Sequence, residues 1–176
     1  MRQRPISEYE LQIFYNTIGE AVWHIQHLEN ALVHSLIIIN TIKRNIDSIE
    51  ESDEMLEKER KGTFGSIYNK VRKEEIIPER LYSRFDKLIK ERNWLIHNSR
   101  TEIRKDLYNT LATLKIIDRI SSISNEAHYL TGLIVQLMEN KMRSKGHNMN
   151  DIWKAAENDL RTLRGDKSIS QRSLFT

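Results

Sequence analysis

The sequence has no cysteine, only two prolines and six glycines in 176 residues, and no apolar run longer than the four residues Leu36 to Ile39. Without cysteine there is no disulfide framework, no thiolate metal site and no cysteine nucleophile, and a reducing cytoplasm is the expected compartment. A short apolar run cannot cross a bilayer, which takes roughly 20 residues of helix, and Met1-Arg2-Gln3-Arg4-Pro5 lacks the apolar centre of a signal peptide. A soluble chain with no membrane contact is therefore expected. Phosphate-cradling Gly-Lys-Ser/Thr and dinucleotide-binding Gly-x-Gly-x-x-Gly loops are missing too, which argues against an ATPase or a dinucleotide enzyme. The formal net charge of +3 is too small to announce nucleic-acid binding by itself.

Leucine, isoleucine, glutamate, lysine and arginine dominate, a composition of long helices and not of sheet, and the length suits one core. The expected fold class is all-α: a bundle of two long and two short helices over residues 1–147, then a C-terminal helix and basic flexible tail over residues 148–176. Ser7-Glu8-Tyr9-Glu10 has capping-box spacing, so the first helix should begin near Glu8. Leu11, Ile18, Val22, Ile25, Leu32 and Leu36 then keep one face apolar, taking the helix to somewhere between Asn40 and Ser52. The acidic stretch Glu50 to Glu59 reads as a solvated helix end or loop.

Thr63 suits the N-cap of a short helix ending near Lys73, and Pro78 suits the first turn of a third helix with Leu81, Phe85, Leu88 and Leu95 inward. Ser99-Arg100-Thr101-Glu102 repeats the capping-box pattern and predicts a break just after His97. Ile116, Ile120, Ile123, Ala127, Leu130, Ile134 and Leu137 mark the second long helix, from about Ile103 to Arg143. Ile152, Trp153, Ala156 and Leu160 mark another from about Asp151 to Leu163, and the last dozen residues read as disordered.

Two polar residues interrupt the apolar stripes. Glu29 falls between Ile25 and Leu32, and Arg92 between Leu88 and Leu95. A carboxylate on a buried face needs a cation, hydrogen bonds or a raised pKa, so the two are candidates to meet, with Glu29 orienting Arg92 at an active site or the two forming a structural ion pair, unless the stripe rolls enough for both to reach water. Around them, Arg84 to Lys105 holds seven Lys/Arg against three acids, which makes Lys90, Arg100 and Arg104 candidate RNA contacts.

Asn93 and His97, four apart, share a helix face, whereas Arg92 and His97 are about 140° apart on an ideal α-helix. A complete site would thus assemble more easily from two copies facing each other across a dimer axis. A helix end just after His97 would favour its imidazolium. With histidine moving protons and arginine stabilising phosphorane-like charge, RNA can be cleaved by its own 2′-hydroxyl without a metal.

The Arg92-Asn93-Trp94-Leu95-Ile96-His97 segment resembles the Arg-polar-x3-His motif of the HEPN superfamily (higher eukaryotes and prokaryotes nucleotide-binding). Gly62 to Ile67 is similar to the turn and helix that precede this motif in several HEPN groups, and Trp23 to Leu32 to their Trp-x5-Glu helix. Together these likenesses span roughly residues 8 to 145. The resemblance, best to abortive-infection-like members, implies a usually dimeric helical bundle with its RNA groove at the dimer interface. Arg92 and His97 would be catalytic, Asn93 and Glu29 would support them, no cofactor would be needed, and an antitoxin or defence-system protein would be the partner. A role in antiviral defence or toxin–antitoxin pairs follows from likeness alone, as does the alternative of a non-catalytic HEPN sensor or scaffold. Ser99 stands where one toxin subgroup has tyrosine, so chemistry specific to that tyrosine does not transfer.

Other features read more blandly. Glu20, His24, His27 and His34 could present a metal-binding face, but no second ligand-rich helix is evident, and polar-face or interface roles are favoured. Trp94 could stack on a base, with packing the stronger reading, as for Trp23 and Trp153. His128 and His147 have no supporting constellation. Arg161, Arg164, Lys167 and Arg172 form either an RNA-binding arm or a solvated tail.

Overall fold

The computed structural model describes residues 6–44, 48–103 and 109–164. Among them there is no strand, and the elements run α1 (Glu8–Arg44), α2 (Ile49–Arg60), α3 (Phe64–Lys73), a 3-10 turn (Glu79–Leu81), α4 (Tyr82–Asn93), a π-helical turn (Trp94–Asn98), α5 (Ser99–Ile103), α6 (Thr110–Ser144) and α7 (Met149–Leu163). The chain adopts the all-α class expected from its composition. No helix among the described residues is long and apolar enough to cross a membrane.

Two compact units are distinguished, Met1–Val135 and Gln136–Thr176. In the first, α1 starts where its capping box predicts: the Ser7 backbone N–H donates to Glu10 Oε2 at 2.9 Å and the Glu10 N–H to Ser7 Oγ at 3.3 Å. The helix then buries Ile25, Leu28, Leu32, Val33 and Leu36 and packs on α2 and α3. Leu28, Leu32, Phe85, Leu88, Ile120 and Leu130 are all but fully buried, and each contributes about 1.5–3 kcal/mol through the water-exposed surface it loses. Tyr68 of α3 stacks on Phe85 of α4, ring centres 5.2 Å apart, which fixes α4 against α3.

In the second unit α6 ends at Ser144, and two residues on Gly146 has a φ of +86°, a left-handed conformation that glycine adopts without strain. The His147 N–H returns to the Met142 carbonyl at 3.1 Å, and Asn148 caps α7 by accepting from the Asn150 N–H at 3.0 Å. The apolar stripe of α7 is open to solvent, with Trp153 and Leu160 each 53 % exposed.

Three sequence expectations are corrected. The acidic stretch is helix α2 and not a loop, because Ser48 accepts from the Glu51 N–H at 3.2 Å and Glu50 and Glu51 sit at the positive end of the helix. Pro78 precedes a 3-10 turn instead of lying inside the first turn of α4. Finally, the chain does not break after His97. Ser99 has helical dihedrals (φ −55°, ψ −44°), and its hydroxyl donates back to the Leu95 carbonyl instead of capping a new helix. Arg104, Lys167, Arg172 and the last dozen residues fall outside the described residues.

Candidate functional site

The stripe interruptions meet. Arg92 of α4 points its Nη2 at Glu29 Oε1 of α1, 3.5 Å away, and its Nη1 at Asn93 Oδ1, 3.4 Å away. Both contacts are at the long limit of a hydrogen bond, and the Arg92 Nε is buried with no acceptor. Side chains only 26 % and 25 % exposed make this costly, because a shielded donor without a partner keeps its desolvation penalty. Burial pushes the Glu29 carboxyl above its ordinary range, and the Arg92 charge offsets part of that.

Other arginines nearby behave differently. Arg84 holds Glu126 with two contacts of 2.7 and 2.6 Å, and Arg119 holds Glu91 with two of 2.7 and 3.2 Å. In each, two nitrogens of the fork meet both oxygens of one carboxylate. The guanidinium of Arg92 is fixed in position but incompletely bonded, the state of a group with capacity for a further anionic oxygen.

His97 lies inside the π turn, where the Ser99 N–H bonds the Trp94 carbonyl five residues back. A π turn takes up one residue more than an α turn, so the ideal 140° between Arg92 and His97 does not apply here: His97 is wound back toward the Arg92 side. The inference that helical angles demand a second copy loses its premise. The macrodipole argument for His97 also falls, since the chain stays helical through Ile103. His97 is exposed, and its imidazole makes no hydrogen bond among the described residues.

Trp94 anchors the turn. Its ring is buried, its Nε1–H donates to Glu102 Oε2 at 2.6 Å, and the Arg119 guanidinium lies 3.4 Å above the ring centre. It is a packing residue, as the blander reading held. Ile96, on the outer side of the turn, is 45 % exposed. Sequence periodicity missed the π turn, since counting in steps of 3.6 presumes an α-helix, and it missed Glu91, Glu102 and Arg119, whose role depends on a partner distant in sequence.

Of the basic candidates, Lys90 and Arg100 are exposed and have no ion-pair partner among the described residues. The histidines follow a different grouping from the one their spacing suggested. His24 Nδ1 meets Ser124 Oγ at 2.8 Å and its ring lies 4.9 Å from that of His128, while the His27 ring lies tilted beside Trp23, which is 61 % exposed. Among the described residues no three His, Asp or Glu side chains cluster as a metal site would require.

Compared with protein-family models, curated proteins and solved structures, the chain matches none of them.

Proposed function

We propose that this protein is a metal-independent endoribonuclease of the HEPN kind. The observation that carries this reading is the incompletely bonded Arg92 guanidinium, backed by Glu29 and Asn93 and one turn from an exposed histidine. In the proposed reaction a ribose 2′-hydroxyl attacks the adjacent phosphorus, its proton passes to a histidine, and the 5′-oxygen leaves with a proton from a histidine. The products are a 2′,3′-cyclic phosphate and a 5′-hydroxyl, and Arg92 stabilises charge on the phosphoryl oxygens as the transition state forms. Lys90, Arg100 and Arg104 would hold flanking phosphates.

Two proton transfers suit two histidines, so the complete site is read as a homodimer in which each copy supplies Arg92 and His97. The exposed Ile96 beside His97 supports an apolar contact there. A role in antiviral defence, abortive infection or as a toxin with a protein partner rests only on likeness to the motif.

The test is incubation of the purified protein with mixed RNA in chelator, identification of the new termini, and repetition with Arg92→Ala and His97→Ala. Cleavage that survives both substitutions ends this reading. One observation favours a second: His97 has no orienting hydrogen bond within the described chain, as expected of a non-catalytic RNA- or protein-binding module. RNA binding without cleavage by folded wild-type protein selects that alternative.

A further inference from the structure

Beside the motif, residues of α4 and α6 line a cleft of about 450 Å³. This is the size of a small-molecule site, which typically measures roughly 300–1,000 Å³. Leu88 and Ile123, both buried, form its floor. The two bidentate pairs described above, Arg84 with Glu126 and Arg119 with Glu91, stand in its walls. Each arginine is also covered on a face by an aromatic ring: the Arg84 guanidinium lies 4.2 Å from the centre of the Tyr129 ring and that of Arg119 lies 3.4 Å from the centre of the Trp94 ring. These cations are neutralised and held in place.

Lys87 is the exception. It lines the same cleft, and it has no carboxylate, hydrogen-bond acceptor or aromatic face among the described residues. The cleft therefore combines rigid walls, an apolar floor and one uncompensated positive charge. With Glu91 and Glu126 matched by Arg119 and Arg84, Lys87 leaves the cleft one positive charge in excess, so the complementary guest carries one negative charge. Leu88 and Ile123 expose little surface, so an apolar body gains its remaining affinity against the aliphatic stems of Arg84, Lys87 and Arg119, which an inorganic ion leaves wet.

We propose that the α4–α6 cleft binds an organic monoanion, a single acid group on an apolar or flat body, with Lys87 pairing the acid and the aliphatic stems of Arg84 and Arg119 receiving the body above Leu88 and Ile123. The proposal stands apart from the ribonuclease reading, since it uses none of Glu29, Arg92, Asn93 or His97. Two acid types share this chemistry, a phosphodiester carried by a nucleoside and a carboxylate carried by an aliphatic chain. Occupancy also has a route to the motif, because Arg119 and Glu91 border the cleft and Arg119 lies on Trp94 in the π turn.

Calorimetric titration of the full chain with a nucleoside 3′,5′-cyclic phosphate, with octanoate and with inorganic phosphate tests it. Saturable one-to-one binding of either organic acid is expected, at least tenfold tighter than phosphate. Lys87→Met should weaken binding at least tenfold, Lys87→Arg should restore most of it, and Lys115→Met, on an exposed lysine outside the cleft, should change nothing. Whichever organic acid binds identifies the source of the acid group. The proposal is overturned if neither binds, if phosphate binds as well as both, or if a folded Lys87→Met protein binds like the wild type. Lys87 is exposed, so its replacement is expected to leave the melting temperature in place, and a melting curve for each variant secures the comparison.

Discussion

Arg92 and Glu29 meet at 3.5 Å across α4 and α1, a longer and looser contact than the 2.6 Å between Arg84 and Glu126. The difference separates a pair that stabilises the fold from one that keeps capacity in reserve, and it leads to opposite expectations for activity.

The raised Glu29 carboxyl gives the first prediction. Between the unfolded value of about 4.3 and its higher folded value, the native state keeps a proton that the unfolded chain has lost. The contribution of this group is thus fully present below about pH 4.3 and declines as pH rises through the folded pKa. Melting curves across that window should show Glu29→Gln gaining on the wild type as pH increases. A difference that stays flat, or that shrinks, would mean Arg92 outweighs burial.

Arg92→Met and Arg84→Met should separate function from stability. Losing the Arg84 fork costs about 1 kcal/mol, at the upper end for a partly exposed pair, and should leave RNA cleavage intact. Losing Arg92 removes a buried unpaired donor but also leaves Glu29 without its cation, so it should destabilise by a comparable amount while cutting cleavage by about 10²-fold or more. Urea denaturation and a cleavage assay on both proteins give the comparison.

Trp94→Phe keeps a ring under Arg119 but deletes the donor to Glu102. A loss of about 1–2 kcal/mol is expected, the scale of a hydrogen bond to a partly exposed charge. Equal stability in urea would show that the ring alone holds the turn.

Much of this was legible beforehand, and the failures share a cause. Ser7-Glu10 and Thr63 were readable because a cap depends only on residues three apart. Glu29 and Arg92 were readable because each breaks a stripe that the sequence displays. Ser48-Ile49-Glu50-Glu51 carried the same local signal, and the acidity of the stretch obscured it. Ser99-Arg100-Thr101-Glu102 misled for the converse reason: the pattern of a cap was present, but Ser99 is buried and satisfied by Leu95, and Glu102 is engaged by Trp94. Competition between a local motif and a tertiary partner cannot be judged from spacing alone.

A deletion experiment tests the π turn directly. Removing Ile96 takes out the one surplus residue, so the turn should relax to α while Ser99 to Ile103 keep their positions. Removing Ile89 from within α4 has no such reserve, and should turn everything after it by about 100° and pull Trp94 from its pocket. Circular dichroism and melting should show a folded protein for the Ile96 deletion and a severely destabilised one for the Ile89 deletion, with cleavage reduced in both.

That tolerance makes the π turn a slack loop in an otherwise taut spring. One residue between the arginine and the histidine can be lost there without disturbing the helices on either side. The spacing from Arg92 to His97 can then move the histidine relative to the arginine while the register of the surrounding helices stays as it was.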